Sequence, residues 1–198
     1  MKIITLKNTH QAPGLLQNGA VGIIPTDTVY GIVCSANNLE AVNKLYALKK
    51  REDKPGTLIA ANIDQLVELG IKKRYLTAVE RFWPNPISVV IPTGFQLGYL
   101  DLGKMSLAVR IPKNGTLHKL LLKTGPLLTT SANIPGEKPV INIQEAQIYF
   151  GDKVDFYVDG GKVNNRQAST VIRIVDDAVE VLREGAAKID EETGRILS

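Results

Sequence analysis

Apolar and polar positions along the chain change period several times, and each change predicts an element. The run Ala20 to Pro25 (AVGIIP) is short and continuously apolar, as in a strand buried on both faces, and the turn-rich Thr26-Asp27-Thr28 follows it. Asn38 is suited to cap a helix in which Leu39, Val42, Leu45 and Tyr46 recur at helical spacing. Lys49, Lys50 and Arg51 then fall at its C-terminal end, where cations complement the helix dipole. Further helices are predicted over residues 63–69, closed by Gly70, and over 77–83, where Thr77 and Glu80 form a capping-box pattern and Pro84 stops the run.

Strands are predicted over 87–91, 106–111 and 126–130, with a helix over 116–122 between the last two. A helix over 143–150 leads to a strand over 156–158, and 170–175 and 179–183 form a hairpin turning at Asp176 and Asp177. Strands and helices alternate, which predicts an α/β fold. The strand-rich last third predicts that the sheet is mixed.

The 198 residues show no repeat, low-complexity tract or Pro/Gly linker, so one domain is expected. A net charge of +4, with 24 basic residues spread along the chain, permits polyanionic ligands without requiring nucleic acid. Cys34 is the only cysteine, which excludes an internal disulfide framework and makes a reducing, cytoplasmic setting the expectation. No stretch approaches the ~20 apolar residues of a spanning helix, and the N-terminus has no signal-type apolar region, so no membrane association is expected.

Several chemistries are missing from the sequence. Neither GxxxxGK[ST] nor GxGxxG occurs, so a nucleotide must be held without those loops. His10 and His118 lie far apart with no Cys or carboxylate cluster at ligand spacing, and no metal held by protein ligands is predicted. Cys34 reads as a small buried apolar residue.

Five constellations carry possible chemistry. Pro25-Thr26-Asp27-Thr28-Val29-Tyr30-Gly31 places hydroxyls, a carboxylate and a ring directly after the buried strand, and equally suits an ordinary turn. Lys49 to Pro55 gathers cations as phosphates would require, or as a solvated charge run would. Thr129-Thr130-Ser131-Ala132-Asn133 again sets hydroxyls and an amide after an apolar strand. Arg110 sits inside the apolar strand SLAVRIP and Arg183 closes the last strand; a charge in such a strand is costly unless it meets an anionic ligand or a buried partner. Ser169 and Thr170 open the segment STV after the turn signal Asp159-Gly160-Gly161.

In order, PTDTVYG, Lys49-x-Arg51, AVRIP, Ser131-x-Asn133, STV and LREGA make the chain resemble the YrdC-like family from about residue 8 to residue 190. The resemblance implies a single domain with a twisted mixed sheet, flanking helices and a concave basic face that holds the site, without the additional C-terminal domain of longer relatives. It implies synthesis of L-threonylcarbamoyl-AMP and pyrophosphate from L-threonine, bicarbonate and ATP, with magnesium carried by ATP. The product would pass to a downstream tRNA threonylcarbamoyl-transferase that modifies the adenosine beside the anticodon; contact with tRNA itself would be indirect or weak. Position by position, Thr26, Arg110 and Ser169 match threonine contacts, and Arg51, Lys54, Ser131, Asn133 and Arg183 match nucleotide contacts. Lys49 and Arg51 are the implied electrostatic stabilisers in catalysis. Glu52 stands where the family commonly has proline, and Ile59 where many members have histidine. Two alternatives remain open at the level of sequence: an RNA-binding module of the same fold, which would use its basic face on phosphates, and a paralogue that carbamoylates another acceptor.

Overall fold

The computed structural model describes residues 2–50, 53–113, 115–134, 136–164 and 166–197. The chain runs β1 (Lys2–Thr5), α1 (Ala12–Gln17), β2 (Gly22–Pro25), β3 (Tyr30–Ser35), α2 (Leu39–Lys49), β4 (Thr57–Ile59), α3 (Ile63–Glu68) and α4 (Lys73–Thr77). It continues with β5 (Ile87–Pro92), α5 (Gly98–Asp101), β6 (Ser106–Arg110), α6 (Thr116–Thr124), β7 (Leu127–Ser131), α7 (Ile143–Phe150) and β8 (Phe156–Asp159). It ends with β9 (Thr170–Val175), β10 (Ala178–Arg183), β11 (Lys188–Ile189) and β12 (Ile196–Leu197). One mixed sheet orders ten strands β1-β8-β2-β3-β7-β4-β6-β5-β9-β10, and β11 with β12 forms a small ribbon.

Side chains that alternate along the central strands divide between two cores, one on each face of the sheet. Ile23, Ile32, Leu58, Leu128 and Tyr157 join the larger core, with Leu45 of α2, Leu66 of α3 and Phe150 of α7. Their neighbours Ile24, Val33, Ile59, Leu127 and Phe156 join the second core, capped by Leu16 of α1 and by Leu117 and Leu121 of α6. On this second face the chemistry changes lengthwise. Two residues along from Val33, Ile59 and Leu127, on the same strands, stand Gly31, Thr57 and Thr129, and these line a cavity instead of packing under a helix.

The caps follow from sequence. Asn38 accepts a hydrogen bond from Ala41 N at 2.9 Å, Asn62 from Gln65 N at 3.0 Å and Asn142 from Glu145 N at 2.8 Å. The β9–β10 hairpin turns at Asp176 and Asp177, as expected, with φ of 48° and 63°, the double left-handed conformation of a two-residue turn.

Three features differ from the sequence-based expectation. The sequence pattern does not predict the strands β1, β3, β4, β11 and β12 or the short helices α1 and α5, and β2 and β3 form an antiparallel hairpin, so PTDT is a hairpin tip. In place of a helix over 77–83, α4 ends at Thr77, whose hydroxyl donates to Lys73 O at 3.1 Å, and Glu80–Phe82 makes one 3-10 turn. Leu76, Val79 and Phe82 are all buried, a three-residue spacing that 3-10 geometry satisfies as well as an α-helix does. Leu39, counted on the apolar face of α2, is 54% exposed; Val42, Leu45 and Tyr46 form the buried stripe.

Cys34 is fully buried in β3, and burial pushes its thiol up to about 12. Alkylation of native protein by iodoacetamide at pH 8 is therefore expected to run at least about 100-fold slower than that of a free thiol, and to match it after denaturation. Rapid labelling of the native protein would contradict this placement.

Candidate active site

The tip between β2 and β3 is held by its own side chains. Thr26 Oγ1 donates to Val29 O at 2.6 Å, accepts from Thr28 N at 3.2 Å and lies 3.1 Å from Thr28 Oγ1. Tyr30 OH donates to Gly161 O at 2.8 Å and accepts from Gly160 N at 2.9 Å, tying the hairpin to the loop after β8; burial raises its pKa. Thr26 thus reaches the cavity on a rigid turn that its own hydroxyl maintains.

Arg110, the last residue of β6, is 3% exposed. Asp27, at the hairpin tip, answers the charge: Arg110 Nη2 lies 3.0 Å from Asp27 Oδ1. The contact is an ion pair whose N–H is not aimed at the oxygen, for neither Asp27 Oδ1 nor Arg110 Nε has a hydrogen-bond partner among the described residues. Burial lowers the Arg110 pKa, Asp27 opposes that, and the Arg183 cation adds to the lowering.

Ser169, buried and lining the same cavity as Arg110, lies 2.9 Å, Oγ to Oγ, from the fully buried Ser88 of β5. Arg183 Nη2 donates to Ser169 O at 2.7 Å and reaches Ser169 Oγ at 3.3 Å, and burial lowers the Arg183 pKa. The chain passes so close to itself here that a Cβ on Gly185 would lie 2.3 Å from Ala168 O. Gly31 meets a similar limit, since a Cβ there would stand 2.7 Å from Thr129 Oγ1.

On the other flank the Lys49 ammonium, 3% exposed at the end of α2, donates to Ser131 O at 3.1 Å, to Asn133 Oδ1 at 3.0 Å and to the Asn133 carbonyl. Ser131 Oγ donates to Asn133 Oδ1 at 2.6 Å, and Asn133 Nδ2 donates to Ile134 O and Glu137 O, both at 2.9 Å. Lys49 was expected to face phosphate; the structure turns it inward, because a buried ammonium needs acceptors and the turn after β7 supplies them. It is a positioning residue for Ser131 and Asn133. Lys54 is exposed in the loop before β4, and Arg51 lies outside the described residues.

A cavity of about 180 Å³ is lined by Thr26, Gly31, Arg110, Ser131, Ser169 and Arg183, among others. The structure therefore brings five of the expected site residues, all but Gly31, around one space and sets Lys49 behind it. Thr26 also borders a groove of about 620 Å³ with Asp27, Lys113, Lys119, Lys123 and Arg166. Asp27 and Ser88 were not singled out as site residues. A lone serine in the apolar strand ISVVIP was the available signal for Ser88; for Asp27 it was the requirement that Arg110 be compensated. Lined, among the described residues, by two guanidinium groups and several hydroxyls and by no carboxylate, the cavity is suited to a small molecule bearing an anionic group.

A model of the Sua5/YciO/YrdC family, described as telomere recombination, matches residues 14–185. The chain is 35% identical over 190 residues to the threonylcarbamoyl-AMP synthase of Photobacterium profundum, covering 91% of this chain and all of that one. It superposes on P. abyssi Sua5 complexed with L-threonine with a TM-score of 0.84 at 27% identity, covering 97% of this chain and 60% of that one. The chain thus spans about 60% of the length of that relative. E. coli YciO matches with a TM-score of 0.80 at 21% identity over 96% of this chain and 97% of that one, a likeness of fold.

Two substitutions test the construction. Gly185→Ala must displace the Ala168–Ser169 backbone and is expected to cost about 1–3 kcal/mol in denaturant unfolding. Lys49→Met strands carbonyl acceptors and is expected to cost about 1.5–3 kcal/mol, with faster proteolysis between residues 133 and 140. Unchanged unfolding midpoints would remove the close approach and the clamp, respectively, from this account.

Proposed function

The chain belongs to the Sua5/YciO/YrdC family, and we propose that it is a threonylcarbamoyl-AMP synthase, joining L-threonine, bicarbonate and ATP into L-threonylcarbamoyl-AMP and pyrophosphate. The observation that carries the reading is Arg110: a buried guanidinium with an unpartnered Nε on the wall of a cavity sized for an amino acid. Relatives of matching length that bear this name, and a relative solved with L-threonine, support it.

Arg110 would grip the threonine carboxylate, with Ser169 and the Thr26 turn shaping the space around the rest of the molecule. The amine, joined to carbon dioxide from bicarbonate, becomes a carbamate whose oxygen attacks the α-phosphate of ATP; the bond to pyrophosphate breaks as the new P–O bond forms. The chain contributes position and charge: Arg183 stands at the rim, and Lys49 fixes Ser131 and Asn133 where a nucleotide would lie. Arg51 and Lys54 are assigned to the phosphates from the family pattern. Magnesium is proposed to arrive with ATP and to offset phosphate charge.

No helix among the described residues is long and apolar enough to cross a membrane. A cytoplasmic setting is proposed, with the adenylate passed to a tRNA threonylcarbamoyl-transferase. The groove with Lys113, Lys119, Lys123 and Arg166 is the observation that favours contact with tRNA, and with it the RNA-binding alternative.

Purified protein with ATP, magnesium and bicarbonate is expected to release pyrophosphate only when L-threonine is added, with the adenylate seen by mass spectrometry. Arg110→Ala is expected to lower that turnover at least about 100-fold, with folding checked by circular dichroism. Threonine-independent release, or full activity in Arg110→Ala, would overturn the assignment.

A further inference from the structure

Asp27 and Arg110 touch, yet they belong to different spaces. Arg110 lines the small cavity, Asp27 lines the larger groove, and Thr26 borders both, so the ion pair is part of the wall between them. The two partners are unequally fixed. Arg110 lies within a paired strand and is 4% exposed in its side chain; Asp27 lies at a hairpin tip and is 16% exposed. The turn itself is pinned by Thr26, Thr28 and Val29, through bonds that do not use the Asp27 carboxylate.

The contact is also incomplete. One guanidinium nitrogen meets one carboxylate oxygen at 3.0 Å without hydrogen-bond alignment, and Nε is left over. An arginine that binds a carboxylate well does so through two parallel N–H donors, and Asp27 uses the guanidinium less fully than that. Asp27 shares the lining of the larger groove with the cations Lys113, Lys119, Lys123 and Arg166, and Arg166 Nη1 already lies 3.4 Å from Thr26 O. A carboxylate leaving Arg110 would therefore move among positive charges.

We infer that Asp27 is a stand-in carboxylate: it neutralises Arg110 in the ligand-free protein, and the amino-acid carboxylate must displace it to bind. This rests on the reading of Arg110 as the carboxylate site. Asp27 would then set the affinity for the amino acid by competing with it, and displacement would open the wall toward the groove. The gain is a buried arginine that is never left unpaired; the cost is weaker binding than Arg110 alone would give, as for any site whose competent state is only partly populated.

The test is calorimetric binding of L-threonine and of L-threoninamide, which lacks the carboxylate, to wild type and to Asp27→Asn. The expected result is that wild type prefers threonine, and that Asp27→Asn binds threonine about 10-fold more tightly with little change for the amide. Unchanged or weaker threonine binding in Asp27→Asn, with the wild-type preference intact, overturns the inference and leaves the functional reading standing. Equal binding of both compounds by wild type overturns the reading of Arg110 itself. Asp27→Asn leaves a buried cation without its partner and is to be purified with and without threonine; a native circular dichroism spectrum recovered by threonine and not by the amide supports the inference, and failure of threonine to recover it counts against.

Discussion

The structure turns on one unfavourable act, the burial of the Arg110 guanidinium at the end of β6. A cation removed from water demands an opposing charge and well-placed acceptors, and much of the surrounding architecture answers that demand. The β2–β3 hairpin brings Asp27 to it, and the buried Ser169, paired with Ser88, lines the same cavity as Arg110. The second cation, Arg183, is kept at the rim by bonds to Ser169.

The sheet makes room for this without losing its core. Val33, Ile59 and Leu127 pack under α1 and α6, and Gly31, Thr57 and Thr129 continue the same face of the same strands into the cavity. Stability and recognition are thus separated by a step of two residues along each strand. The tight glycines mark where the separation is narrowest: side chains at 31 and 185 would collide with Thr129 and with the Ala168 carbonyl.

How much of this was legible in the sequence depended on how local the signal was. Arg110 stood out because a charge in SLAVRIP breaks an apolar run, and that run also required a partner; only the tertiary fold identifies the partner as Asp27, 83 positions earlier. The continuous apolar character of AVGIIP announced β2, whereas Tyr30–Ser35 carries Tyr, Gly and Ser in a six-residue strand and gave no clear period. At three residues, β4 is too short for a period at all. Lys49 reads as facing phosphate for a related reason: cations gathered at a helix end suit an anionic ligand, whereas the acceptors that turn it inward belong to the turn after β7, more than 80 residues away. The family, read from ordered motifs, and the α/β class with its mixed sheet agree with the comparisons and the structure.

The strand order β3-β7-β4-β6-β5-β9 has a consequence for how the protein comes into being. The cavity takes its walls from residues 26 to 183, and neighbours in the sheet such as β3 and β7, or β5 and β9, are far apart in the chain. Closing those long loops is the slow part of folding, and no N-terminal or C-terminal half contains the cavity. A nascent chain that has not yet emitted residue 183 therefore lacks part of the cavity wall, however much of the sheet has already paired.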